Sequence, residues 1–422
     1  MGKKTSSYRQ VLLHSISQLV TMSGASGYRI GKQMNDLGVI EDASVLIEDD
    51  SIRWVGPSAS LDKDLLKDPY DVDCTGRTVL PGFVDCHTHT MFTGSRENEF
   101  ALRASGASYQ EIAQRGGGIL STVRSVRAST KRELKQLTSQ RLDAMLRHGT
   151  TTVEIKSGYG LEEKSERLML EGLNELHKEH YVSISPTFLG AHAIPPEFDG
   201  DGQKYLTFLA DRMLPYIMQR SLAGTCDIFC ETGYFDIAST RTFLQRAKDL
   251  GFLLRLHADQ LTDIGASALG AELGAVSVDH LECFPVSNIP LLKKSGTAAV
   301  LLPGSTFFLG GPYAPARDLI DGNVPVALAT NFNPGSSMSF SMPMMMTIAC
   351  TQMNMSVEEC LTATTINAAT VLGRSNETGS IAPGKKADLV VYDAPSYAYI
   401  PYHFGENHVR TVVKHGIVFD IS

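Results

Sequence analysis

Val79-Leu80-Pro81-Gly82-Phe83-Val84-Asp85-Cys86-His87-Thr88-His89 is an apolar run of strand length that ends in two histidines at i and i+2. Residues two apart in a strand project to the same side. His87 and His89 can therefore aim two imidazoles at one point, as a divalent metal requires. A lone His-x-His pair is a weak signal, because a chain with 12 histidines will produce such spacings by chance. What raises its weight is the pattern that follows.

Seven more β-rich runs succeed the first, at 150–155, 182–189, 226–230, 252–256, 275–279, 297–302 and 324–329. The residues that follow the ends of the eight runs are His87, Lys156, His192, Glu231, His257, His280, Pro303 and Asn331. From Lys156 onward the intervals are 36, 39, 26, 23, 23 and 28 residues, the size of strand–crossover–strand units. Segments between them, such as 131–148 and 165–180, read as amphipathic helices. Eight parallel strands with crossovers predict an α/β fold, a TIM-like (β/α)8 barrel whose site is built at the strand C-termini. An open doubly wound sheet is the alternative, but no glycine fingerprint for a dinucleotide is present.

The flanks differ. Strand candidates at 11–19, 43–48 and 52–55, and again at 387–392 and 409–419, lie in segments too short to bury a core alone. They predict a small composite β domain from both chain ends, dividing the chain into 1–75, 76–375 and 376–422. The stretch 92–130, with Arg115-Gly116-Gly117-Gly118, is too long for a simple loop and reads as an active-site insertion or lid.

Bulk properties exclude several function classes. A net charge of −8 speaks against nucleic-acid binding. No apolar run approaches the roughly 20 residues that span a bilayer, and the N-terminus reads as an extension leading into a strand, not a signal peptide. Seven cysteines without paired spacing, Cys226 and Cys230 alone being close, read as core thiols in a reducing compartment. A small-molecule substrate remains the expected partner.

Zinc and iron take imidazole and carboxylate ligands, and a catalytic site keeps one position open for water. His257, at the fifth strand end, is the third candidate ligand after His87 and His89. The eighth strand end should supply a carboxylate as ligand and general base, and Asn331 stands there.

These residues carry a family resemblance. Pro-Gly-Phe-Val-Asp-x-His-x-His, the strand-end histidine and the closing Gly-Ser-Ile-Ala-Pro-Gly-Lys-Lys-Ala-Asp-Leu-Val-Val resemble the metal-dependent amidohydrolases. More narrowly, stretches 86–96, 115–122, 149–162, 188–196, 255–259, 299–306 and 331–336 are similar to those of the imidazolonepropionases. The resemblance implies a barrel with a composite β domain, one Zn²⁺ or Fe³⁺ ion per subunit, a cytoplasmic setting and a homodimer. It implies hydrolysis of the cyclic amide of 4-imidazolone-5-propanoate to N-formimidoyl-L-glutamate by metal-activated water.

Carried over by position, the metal ligands fall on His87, His89, His257 and Asn331. The substrate contacts fall on Arg96, Tyr159, His192 and Gln260, with Asn333, Gly335 and Ser336 near the propionate or product. Physical reading agrees where it can. Arg96 offers a bidentate fork for a carboxylate, and Tyr159 can stack on a planar ring and donate a hydrogen bond. His192 and His280 are candidates to polarise the lactam carbonyl or bind its oxyanion, and the structural alternative for His280 is a hydrogen bond to Asp279 or a backbone carbonyl. His280, Gln260 and Asn331 are the candidate catalytic residues.

The chain departs from the pattern at two of these positions. The family usually carries Glu after His-Ala-Asp and Asp in Ala-Thr-Asp-Phe-Asn-Pro-Gly, where this chain has Gln260 and Asn331. An amide can accept a hydrogen bond through its carbonyl but cannot take a proton at neutral pH. The expectation is still an active hydrolase, since zinc held by three neutral histidines brings its water to a pKa of about 7. The alternatives are an amidohydrolase for another cyclic amide, or a weakened or non-catalytic relative.

Overall fold

The computed structural model describes residues 8–24, 27–106 and 117–421. Arg115 and Gly116 of the expected lid lie outside them. The strands of the first sheet are β1 (Gln10–Val20), β2 (Val39–Glu48), β3 (Ser51–Pro57), β4 (Tyr70–Asp73) and β5 (Thr78–Pro81). The barrel strands are β6 (Phe83–Asp85), β7 (Thr150–Lys156), β8 (Ser183–Ala191), β9 (Thr225–Cys230), β10 (Leu253–Ala258), β11 (Ser277–His280), β12 (Ala298–Leu301) and β13 (Val326–Leu328). The chain then returns to the first sheet with β14 (Leu389–Tyr392), β15 (Val409–Lys414) and β16 (Ile417–Asp420).

The eight barrel strands are parallel and lie in chain order from β6 to β13. The seam between β13 and β6 closes just beyond the strands. His89 N–H donates to the Phe332 carbonyl (3.0 Å) and Asn331 N–H to the His87 carbonyl (3.0 Å). Below them Asp85 accepts from Thr330 N–H (3.0 Å) and Thr330 Oγ1 (2.5 Å). Asp85 is fully buried, and burial pushes its carboxyl up to about 7 against the pull of those donors. Asp85→Ala strands a buried N–H at the seam. The expected cost is about 1–3 kcal/mol, read as a lower urea midpoint at unchanged slope.

The opening run is not one strand. Val79 pairs with Val391 of β14 and with Leu19 of β1, so residues 78–81 belong to the sheet from the chain ends. After Gly82 the chain enters the barrel, where Val84 pairs with Thr152 of β7. Continuous hydrophobicity hid the change because both halves are buried. That sheet runs β16-β15-β14-β5-β1-β2-β3, with β4 beside β1. Alternation splits its residues between two cores: Val79, Val391 and Val413 pack in the sheet's own core, while Leu80, Val390 and Val412 join the barrel core. The two layers are further tied by buried Lys414, which donates to Asp388 (2.7 Å) in the sheet and to Ser183 Oγ (2.9 Å) on β8.

The expected helices occur at Lys131–Arg147 and Glu163–Glu179. Thr130 and Glu133 cap the first reciprocally. The 92–130 insertion contributes helices Glu97–Ala104 and Ile119–Ala128. All seven cysteines are free thiols, and Cys226 and Cys230 are buried. No described helix is long and apolar enough to cross a membrane.

Candidate active site and metal centre

The barrel strands converge on a cavity of about 560 Å³ at their C-terminal ends. Its wall includes Arg96, Tyr159, His192, Gln260, Asn333, Gly335 and Ser336 together with His89, His257, His280 and Asn331. Thus every expected substrate contact reaches one cavity, although the residues span about 240 positions of chain. His87 lies behind it, fully buried, its ring 4.6 Å from His257 and 5.4 Å from His89, centroid to centroid.

The imidazoles are oriented from behind. His87 Nδ1 lies 2.6 Å from Asp279 Oδ2, and His257 Nδ1 lies 3.2 Å from Asp227 Oδ1. A carboxylate only accepts, so both Nδ1 atoms carry the proton and both Nε2 lone pairs face the site. His87 Nε2, His89 Nδ1 and Asn331 Oδ1 are buried with no hydrogen-bond partner. His257 Nε2 stands 3.4 Å from His89 Nε2, an approach that needs a proton or a cation between the lone pairs. Burial holds His87 and His89 well below the usual histidine range and lowers His257 to about 4, so all three are neutral ligand donors at pH 7.

Possible ligand atoms cluster in two overlapping triads, His87–His257–His280 and His89–His192–His257. Unpaired buried nitrogens, neutral rings and carboxylates behind Nδ1 are the chemistry of a metal site. Its electrostatics agree. Lys156 donates to Glu154 (2.7 Å) and pairs with Asp227 (2.8 Å), while Arg255 donates to Glu154 (3.2 Å) and Asp279 (2.6 Å). All five are buried, two cations against three carboxylates, which leaves one negative charge beneath the histidines. Burial opposes ionisation of Asp227, yet Lys156 and His257 beside it hold its carboxyl well below the usual range.

Sequence reasoning missed this network. Its trace was present, since Glu154 and Lys156, and Arg255 and His257, are polar residues at i and i+2 within apolar runs. A strand that carries charge at alternate positions aims it into the barrel. The same reasoning considered Asp279 as the partner of His280, but Asp279 serves His87, and His280 Nδ1 instead meets Glu282 Oε1 at 3.2 Å. His280 and Leu281 both adopt left-handed backbone, φ 86° and 69°, a strained turn at the site.

His192 also changes role. Its Nδ1 lies 3.0 Å from the Gly158 carbonyl, which can only accept. Burial lowers the ring to about 4, so it is neutral with a bare Nε2. In that state Nε2 can accept a hydrogen bond, whereas polarising a carbonyl, the part expected of this ring, would need a proton there.

Arg96 is held by Glu99, which accepts from Nε (3.0 Å) and Nη2 (2.7 Å). Nη1 lies over Gly335, where a Cβ would approach to 2.3 Å. Asn333 folds this bed: its Nδ2 donates to the Asn331 carbonyl (2.6 Å) and Ser336 Oγ (2.8 Å), and its Oδ1 accepts from Gly335 N–H (2.8 Å) and Ser336 N–H (2.9 Å). Gly335→Ala therefore displaces the guanidinium. Steady-state kinetics should show KM raised about tenfold, a loss on the order of 1.4 kcal/mol of binding, with kcat little changed.

Known proteins resemble the chain in both sequence and fold. Residues 244–418 match the Amidohydrolase family profile. The imidazolonepropionase of Alkaliphilus metalliredigens is 45% identical over 409 residues, 96% of this chain and 97% of that one. That of Geobacillus kaustophilus is 44% identical over 97% of this chain and 98% of its own. The chain belongs to the imidazolonepropionase family. Among solved structures, a triazine hydrolase from Arthrobacter aurescens shares the fold with a TM-score of 0.75 at 16% identity, covering 98% of this chain and 96% of that one. An adenosine deaminase from Xanthomonas campestris, solved with bound zinc, shares it with a TM-score of 0.69 at 19% identity, covering 97% and 92%.

Proposed function

We propose that this member of the imidazolonepropionase family hydrolyses the cyclic amide bond of 4-imidazolone-5-propanoate to N-formimidoyl-L-glutamate, a step of histidine degradation. We further propose one Zn²⁺ or Fe³⁺ per subunit, a homodimer and a cytoplasmic setting. The observation that carries the reading is the meeting of a guanidinium, aromatic and imidazole rings and the unpaired histidine nitrogens in one cavity.

His87, His89, His257 and Asn331 would hold the ion, which when bound supplies Lewis acidity to water and carbonyl oxygen. The residues around it divide the remaining work. Arg96 takes the propanoate carboxylate, its other edge being pinned by Glu99. Tyr159 packs on the planar ring, and His192 Nε2 accepts from a ring N–H. Gln260 and the Asn331 carbonyl can orient water but cannot remove its proton. His280, its Nδ1 facing Glu282, is the group on the wall placed to take a proton from the attacking water at Nε2 and pass it to the leaving nitrogen. Water oxygen adds to the carbonyl carbon, the C–N bond breaks, and the nitrogen leaves protonated.

The test is to load the protein with Zn²⁺ or Fe³⁺, measure bound metal by elemental analysis, and follow the absorbance of imidazolone propanoate. Turnover with one ion per chain is the expected result. The two amides favour a second reading, a weakened relative: a silent parent whose activity appears with Asn331→Asp and Gln260→Glu. Silence in all of these proteins, with metal bound, would overturn both.

A further inference from the structure

Glu166 sits one turn into helix Glu163–Glu179 and is fully buried, yet it points away from the helix into the loop that carries Tyr159. Its Oε1 accepts from the backbone N–H groups of Gly158 (3.1 Å), Gly160 (2.8 Å) and Leu161 (3.0 Å), and Oε2 accepts from Gly158 as well (3.1 Å). Three loop amides, those of residues 158, 160 and 161, thus close around one carboxylate, a nest that Ser157 completes by a further side-chain hydrogen bond. The loop can wrap this tightly because Gly158 has φ 103° and lies against the Leu189 carbonyl, where a Cβ would come within 2.6 Å.

Both ends of the nest matter to the cavity. Tyr159, between the bonded amides, has its ring 5.4 Å from His192 and 5.8 Å from His89. The Gly158 carbonyl, on the peptide next to a bonded N–H, receives His192 Nδ1–H at 3.0 Å and so fixes which nitrogen of that ring is bare. Turning this loop would move the Tyr159 ring and free His192 to change tautomer together.

We propose that Glu166 is the positioning residue that presents Tyr159 and the bare Nε2 of His192 to the substrate. The assignment rests on the ring-opening reading for the identity of the substrate, but not for the geometry. It touches no reacting atom. Glutamine at 166 keeps the size, but with its oxygen in place of Oε1 its N–H₂ takes the place of Oε2 and sets a donor against the Gly158 N–H, which disturbs the nest at the peptide that holds His192.

Two readouts test it on the metal-loaded full chain. In ¹⁵N spectra of the histidine rings, assigned with His192→Gln, the parent should show His192 as a single Nδ1–H tautomer, and Glu166→Gln a mixture. Calorimetry with 3-(imidazol-4-yl)propanoate as probe should show about tenfold weaker binding in Glu166→Gln, less than threefold in a Tyr159→Ala background, and partial recovery in Glu166→Asp. Such non-additivity marks action through Tyr159, which a merely structural carboxylate would not give. An unchanged tautomer with unchanged probe affinity overturns the proposal, as does an equal loss in both backgrounds. If Glu166→Gln fails to fold, Glu166→Asp carries the same two measurements. A parent with no turnover but with the tautomer shift defeats the proposed reaction and leaves the positioning role standing.

Discussion

Replacing Asp279 with alanine is expected to lower folding stability by about 3–5 kcal/mol, the usual result of breaking a buried ion pair from one side. Asp279 accepts from Arg255 (2.6 Å), from His87 Nδ1 (2.6 Å) and, through Oδ1, from Ser277 (2.6 Å), all at buried positions. Its removal leaves Arg255 and Lys156 facing two carboxylates, and it frees the His87 ring to rotate. Metal affinity should fall about 10–100-fold with the loss of a carboxylate that orients a ligand. Chemical denaturation of the metal-free protein and a competitive chelator titration separate the two effects. Asp279→Asn, which keeps an acceptor oxygen for His87, should recover part of the metal affinity and less of the stability. Equal stability of parent and Asp279→Ala would mean that the charges beneath the histidines are not coupled as their distances imply.

The second large effect runs the other way. Asn331→Asp is expected to raise kcat, by up to the roughly 10²–10⁴-fold that a positioned general base contributes. Asn331 Oδ1 is buried and unpaired, and the residue sits at φ 52°, a left-handed backbone that asparagine and aspartate both tolerate. The exchange therefore changes charge and basicity with little change of shape. It also places a carboxylate beside the histidines, so tighter metal binding should accompany the faster reaction, measured by the same chelator titration. In the variant the new carboxylate must be ionised to act, so its advantage should disappear as pH falls through that group's pKa. A variant no faster than the parent at any pH would show that His280 with Glu282 already meets the need for a base.

Much of the barrel was legible in the chain. A strand's alternation and a helix's periodicity are local, and the spacing from Lys156 to Asn331 repeats because each unit must cross the sheet once. The histidines were legible for the same reason, lying at the ends of runs that point them inward. Where local signals coincide, the chain is silent: residues 79–86 read as one strand because Thr78–Pro81 and Phe83–Asp85 are both wholly buried, although they serve different sheets. Asp85 showed nothing of its seam role, since its partner Thr330 is 245 residues away.

The sequence by itself determined which residues could form the centre: the strand-end histidines, Arg96, Tyr159 and the amides at 260 and 331. Only the closed barrel decided what each of them meets. It brought Asp279 behind His87 and Asp227 behind His257, gave His280 to Glu282, and bent the Gly158 carbonyl onto His192. The direction of a histidine's lone pair depends on what its other nitrogen meets, and that neighbour comes from a different strand.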